Sequence, residues 1–165
     1  MRLRMWTLVM PLVGLLLLVH GAVVAAGEGS VSGRVSLTDP EGTTFYGDWV
    51  RMFLTTAALA VPAVDLDAVD AALERRSRIN SGHMDFFVNF QQKQTEDGYV
   101  VDHKLTRPNG TFAFHGIPPG RYWIVVTFPT MIAGYKCAWQ VAAEVNGGEN
   151  THVELNGENL AVPAY

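Results

Sequence analysis

The side chains that could do chemistry in this chain are few. They are the imidazoles of His83, His103, His115 and His152, the thiol of Cys137, the indoles of Trp49, Trp123 and Trp139, and the arginines Arg75, Arg76 and Arg78. The histidines show neither His-Glu-x-x-His nor any other close metal-binding spacing. His103 and His115 flank Asn109-Gly110 and could meet across two strands. A three-residue loop would pair them, and a two-residue loop would pair His103 with Gly116 instead. The ordinary reading of all four is surface histidine. Cys137 has no second cysteine to pair with inside the chain, which leaves a buried thiol in a strand, an intermolecular bridge or a reactive group. The three tryptophans could stack a small ligand or a sugar, but their strand contexts favour core packing. The arginine cluster reads as an anion site or, more simply, as the solvated end of a helix. Asn109-Gly110-Thr111 is a glycosylation sequon that coincides with a turn. No G-x-S-x-G elbow and no Gly-rich phosphate loop occurs. The expectation is therefore no enzyme, with no catalytic, cofactor-binding or metal residue assigned and no cofactor.

Positioning these groups falls to short strands. Ser30 to Leu37 alternates Val31, Gly33, Val35 and Leu37 with polar residues, the pattern of a half-buried strand. Asp48 to Thr55 puts Val50, Met52 and Leu54 on one face and Trp49, Arg51 and Phe53 on the other, so each face needs a cover. Ala63 to Ile79 changes period, with Leu66, Val69, Leu73 and Arg76 at helical spacing. Early aspartates and late arginines suit the helix dipole, Glu74 and Arg78 form an i,i+4 pair, and Asn80-Ser81-Gly82 is the expected stop. Alternation returns over Met84 to Gln92, which reads as a strand with Met84, Phe86, Val88 and Phe90 on one side and Phe87 among polar residues on the other. Glu96-Asp97-Gly98 reads as a hairpin turn into Tyr99 to Thr106, and Asn109-Gly110 as a second hairpin of type I′. Thr111 to His115, Arg121 to Phe128, Tyr135 to Val145 and Thr151 to Leu155 complete the strands. Phe112, Phe114 and Tyr122 are expected inward on one sheet face. The tail, 156 to 165, has no clear period. Seven or eight short strands and one helix predict a mainly β protein, an antiparallel two-sheet β-sandwich with one helical insertion at about 56–83.

The N-terminus carries a different signal. Arg2 and Arg4 precede a nearly unbroken apolar run from Met5 to Val19, and Val24-Ala25-Ala26 supplies the small residues of a cleavage site. Residues 1–26 read as a secretory signal peptide and 27–155 as the sandwich. An uncleaved anchor is the alternative, since Trp6 to Ala26 approaches the roughly 20 residues that span a bilayer. Cleavage after Ala26 leaves 139 residues with 10 Lys+Arg against 16 Asp+Glu, a net charge of −6. That balance argues against nucleic acid as a partner.

Two stretches resemble a known family. Gly29-Ser30-Val31-Ser32-Gly33-Arg34-Val35 matches an opening G-x-V-x-G-x-V strand. Asn109-Gly110-Thr111-Phe112-Ala113-Phe114-His115-Gly116-Ile117-Pro118-Pro119-Gly120-Arg121-Tyr122 matches a G-x-F-x-F-x-x-L-P-P-G-x-Y motif, with Ile117 for the usual Leu. Together they resemble the carboxypeptidase regulatory-like domain, a transthyretin-like β-sandwich. The resemblance covers most of Gly29 to Leu155 but neither 56–92 nor the tail. It implies an accessory module without catalytic residues of its own. Hydroxyisourate hydrolase, an enzyme on the transthyretin fold, ends in Tyr-Arg-Gly-Ser, and Ala161-Val162-Pro163-Ala164-Tyr165 departs from that. The function expected is an exported, noncatalytic structural or protein-interaction component of the cell envelope, secreted or periplasmic. A small-ligand or carbohydrate-binding module is the alternative. The insertion, where Phe87 needs a cover, is the expected partner surface.

Overall fold

A computed structural model describes residues 27–67, 69 and 71–165. The proposed signal peptide lies outside the described residues. Among these, no helix is long and apolar enough to cross a membrane.

In chain order the elements are β1 (Gly29–Thr38), β2 (Thr44–Tyr46), β3 (Arg51–Thr55), α1 (Ala72–Lys93), β4 (Val100–Leu105), β5 (Thr111–Ile117), β6 (Gly120–Val126), β7 (Met131–Ile132), β8 (Tyr135–Lys136), β9 (Ala138–Val145), β10 (Asn150–Leu155) and β11 (Leu160–Val162). Two sheets form the expected sandwich. In the first, β1 is central, flanked by β10 on one side and by β2 and β5 on the other. The second runs β11-β9-β6-β3-β4, and β7 and β8 make a small separate ribbon. Every pair is antiparallel except β1 and β10, which run parallel from Ser30↔Asn150 to Val35↔Leu155. A strand that crosses from one sheet to the other is free to enter beside β1 in either direction.

The alternation read in β1 is real: Val31 and Val35 are fully buried and Leu37 nearly so. Phe112 and Phe114 from β5 meet Tyr122 from β6 in the core between the sheets. The three share one core but not one sheet face, because the Pro118-Pro119 corner carries the chain from the first sheet to the second. The Tyr122 hydroxyl donates to the Pro118 carbonyl at 2.9 Å and ties that corner down.

The Asn109-Gly110 hairpin does not form. β4 pairs with β3 and β5 with β1, so the turn joins two sheets rather than two paired strands. Gly110 N–H donates to Arg107 O at 2.8 Å, which puts Pro108 and Asn109 at the turn centre. Gly110 alone adopts positive φ, at 77°, so the type I′ geometry is absent. Proline's fixed φ at the first central position selects the other hand.

The largest departure is the helix. The helix expected over Ala63 to Ile79 and the strand expected over Met84 to Gln92 are replaced by one helix, Ala72–Lys93, preceded by an irregular segment. Its buried residues are Ile79, Gly82, His83, Phe86 and Phe90, at the three-to-four spacing of one helical face. Alternating Met84, Phe86, Val88 and Phe90 had masked that period, and Met84 and Val88 are exposed. Leu73 of the expected stripe is 82% exposed. Gly82 does not stop the helix. It lies at a close crossing, where a Cβ would sit 2.6 Å from Val64 Cγ2 and 3.3 Å from Val162 Cγ1. Glu96-Asp97-Gly98 accordingly turns from helix to strand β4 rather than between two strands.

α1 covers the outer face of the second sheet as a third layer. Phe86, Phe90, Ile79 and Leu59 pack with Val125, Ala138 and Val162. Full burial of an aromatic side chain contributes on the order of 1.5–3 kcal/mol, so this face is core. Phe53 stacks on Phe90 with ring centroids 4.5 Å apart, which supplies the second cover that β3 required. Gln140 holds the irregular segment, accepting from Leu59 N–H at 2.6 Å and donating to Leu59 O at 3.0 Å. The tail also has structure: β11 pairs with β9.

Candidate functional site

The residues singled out by type are mostly placed apart. His103 lies opposite Phe53 in the second sheet and His115 opposite Ser30 in the first, so they do not form a pair. His152 contacts Glu154 at 2.6 Å on the surface. His83, expected at the surface, is buried in the helix–sheet interface, and burial lowers its pKa below 6.5. Among the described residues, no group of three or more His, Cys, Asp or Glu is placed to hold a metal ion. Cys137 is buried at the break between β8 and β9, and burial pushes its thiol up to about 12, which suppresses the thiolate.

The arginines are engaged in local structure. Arg75 donates to the Leu66 carbonyl at 2.8 Å, and Arg78 pairs with Glu74 at 2.8 Å. Arg76 lies over the Tyr165 ring, 5.6 Å from its centroid. Asn109 is exposed, and its side-chain oxygen accepts from the Thr111 hydroxyl at 2.7 Å.

The tryptophans divide. Trp139 is fully buried, its indole N–H donating to Asn156 O at 2.8 Å. Trp123 is half-buried beneath Arg121. Trp49, expected in a packed strand, is 65% exposed. It precedes β3 in a turn, with φ of 52°. No coplanar tryptophan pair exists among these three.

Trp49 stands instead beside a cleft of about 740 Å³. Three elements make it: the turn into β3, the C-terminal half of α1, and the segment after β6. Phe53, Phe87, Phe90 and Phe128 supply aromatic walls, and Phe87 meets Phe128 edge-on at 5.8 Å. Phe87 therefore gains its cover within the chain. Leu105 and Met131 stand at the cleft about half exposed. The polar lining is Asp48, Arg51, Gln91, Gln94, Thr127 and Thr130. Thr127 is 7% exposed, and its buried hydroxyl has no hydrogen-bond partner among the described residues. Such a group costs about 1–3 kcal/mol unless something reaches it. Asp48 and Arg51 are the two charged side chains of the lining, and their charges cancel.

Sequence reasoning missed this cleft because it reads Met84 to Gln92 as a strand. A strand puts Phe87, Gln91 and Gln94 out of reach of one another, whereas a helix places residues three and four apart on one face.

No family model matches the chain, and no curated protein matches it. Several solved structures align with it, among them the following three. A candidate carbohydrate-binding protein of Pseudomonas aeruginosa does so at 19% identity and a TM-score of 0.47, over 82% of this chain and 92% of its own. A minor pilin of Streptococcus agalactiae aligns at 13% identity and a TM-score of 0.46, over 80% of this chain and 44% of its own. The major pilin SpaD of Corynebacterium diphtheriae aligns at 13% identity and a TM-score of 0.40, over 78% of this chain and 31% of its own. The chain thus spans less than half the length of these pilins, and all three likenesses are distant.

Proposed function

We propose that this chain is an exported, noncatalytic binding module whose ligand seat is the cleft beside Trp49, and that the seat takes a neutral, hydroxyl-rich ligand of the saccharide class. The single observation that carries the reading is the exposed Trp49 indole at the edge of a 740 Å³ cleft with a charge-balanced lining. That volume lies in the range of small-ligand pockets. An indole face offers apolar area to the C–H face of a sugar ring while its N–H stays wet. Asp48, Arg51, Gln91 and Gln94 end in planar groups that hydrogen-bond two neighbouring hydroxyls at once. The test is calorimetric titration of the mature protein with neutral oligosaccharides. Binding that disappears in Trp49→Ala supports the reading, and heat of binding unchanged by that substitution removes it.

A second reading has a specific observation behind it. Leu105 and Met131 stand about half exposed at the same cleft, and adaptable apolar side chains of this kind suit a protein segment. On that reading the chain is a protein-interaction component of the envelope. Pull-down from the native envelope fraction distinguishes the two, since a protein partner is lost in Met131→Asp while a saccharide bound on Trp49 is retained. Export belongs to either reading, and N-terminal sequencing of the mature protein should begin near Gly27.

A further inference from the structure

Among the described residues, two non-glycine residues have a left-handed backbone, Trp49 at φ 52° and Ala133 at φ 51°. Ala133 has a plain reason. With Gly134 it forms the two-residue turn between Ile132 and Tyr135, and such turns need positive φ at both positions. Trp49 has no such reason. It lies in no two-residue hairpin, its bulk makes the left-handed region unfavourable, and its exposed ring returns little burial to the fold. Backbone strain of this kind collects at sites where the surroundings fix one conformation.

The surroundings here come down to one side chain. Thr106, just past β4, is 1% exposed. Its hydroxyl donates to the Gly47 carbonyl at 2.5 Å and accepts from Val50 N–H at 2.8 Å. Its own N–H donates to Val50 O at 3.0 Å. These three bonds grip the chain immediately before and after Asp48-Trp49. Gly47 N–H is in turn anchored to Val35 O of β1 at 2.9 Å. The hydroxyl uses its donor and one acceptor on the two ends of a single turn, so the turn has one geometry.

We infer that Thr106 is a positioning residue, which holds Trp49 in a disfavoured conformation so that its indole is fixed at the cleft as a ligand contact. The inference rests on the reading of the cleft as a ligand seat, but it makes a claim of its own about the free protein. Trp49 should be rigid although it is exposed, and its presentation should oppose stability.

The test uses Thr106→Val, Thr106→Ser and Trp49→Asn in the mature protein. The first readout needs no ligand: ¹⁵N relaxation of the Trp49 indole N–H. Wild type and Thr106→Ser should show a rigid indole, and Thr106→Val a mobile one. The second is thermal stability. Asn enters the left-handed region more readily than Trp, so Trp49→Asn should raise Tm by about 2 °C or more. The third is affinity for cellotriose and maltotriose under conditions where all variants are folded. Thr106→Val and Trp49→Asn should weaken it at least tenfold, while Thr106→Ser should not. An indole equally rigid in Thr106→Val overturns the positioning role. A Tm that falls in Trp49→Asn overturns the strain, and does so even if Thr106→Val does not fold. Wild-type protein that binds neither trisaccharide, with the relaxation and Tm changes as expected, removes the saccharide reading and leaves the positioning role standing.

Discussion

The imidazole Nε2 of His83 lies 3.0 Å from the carbonyl oxygen of Pro163. A carbonyl only accepts, so Nε2 carries the proton and the ring pins the middle of α1 to the chain just beyond β11. The Tyr165 ring lies 5.8 Å from the imidazole. Lys136 approaches the same corner, its ammonium donating to Asn80 Oδ1 at 2.6 Å. A second positive charge is unwelcome there.

A pH dependence follows from that environment. Burial first, and the nearby Lys136 charge last, lower the His83 pKa below 6.5, against the raising effect of the Pro163 hydrogen bond. The folded protein therefore binds fewer protons than the unfolded chain between the lowered value and 6.5. Stability is fully present above about pH 6.5 and falls as the pH drops below it. Tm measured from pH 7.5 to 5.5 should decline in wild type and decline less in His83→Gln, which keeps a donor for Pro163. Parallel curves for the two proteins would show that His83 does not set the slope.

Phe114 is fully buried between the sheets and meets Phe112 edge-on at 6.0 Å. Phe114→Ala should lower unfolding free energy by about 3–5 kcal/mol, as aromatic truncation in a packed core does. Urea denaturation with an unchanged m-value measures it. A loss below about 1 kcal/mol would contradict core burial of this order.

Cys137 should be chemically silent in the folded protein. The residue is 1% exposed, and burial pushes its thiol pKa up to about 12. Reaction with a thiol-specific disulfide reagent at pH 8 should proceed only at the rate of unfolding and become fast in denaturant. Fast labelling of native protein would assign Cys137 to an accessible site.

Gly82 should resist enlargement. Alanine favours a helix interior over glycine by about 1 kcal/mol, but the new Cβ would sit 2.6 Å from Val64 Cγ2. Overpacking of this kind costs about 1–3 kcal/mol, so Gly82→Ala should be net destabilising. Gly82→Val should lower Tm further, because its extra methyls also meet Val162. A rise in Tm for Gly82→Ala would show that Val64 moves aside freely.

Much of the sandwich could be read from local pattern. The alternation of β1, the buried Val50, Met52 and Leu54, and the inward Phe112, Phe114 and Tyr122 each depend on which side of a strand a residue occupies, and period two encodes that directly. Pairing partners are not encoded in the same way. Neither the parallel register of β1 with β10 nor the passage of residues 106–110 between sheets has a local signature, because each depends on where distant strands already lie. Helix α1 failed for another reason. Met84, Phe86, Val88 and Phe90 satisfy the strand period, while Ile79, His83, Phe86 and Phe90 satisfy the helical one, and the outer face of the second sheet decides by burying the latter set. The cleft inherits that decision. The adjacent pair Asp48-Trp49, Gln91 and Thr127 are separated widely in sequence, and their meeting follows from α1 lying across β3 and β6. The residue types alone determined that the chain is mainly β and carries few groups suited to catalysis. Only tertiary packing decided which tryptophan faces solvent and which histidine is buried, because exposure depends on the layer above a strand.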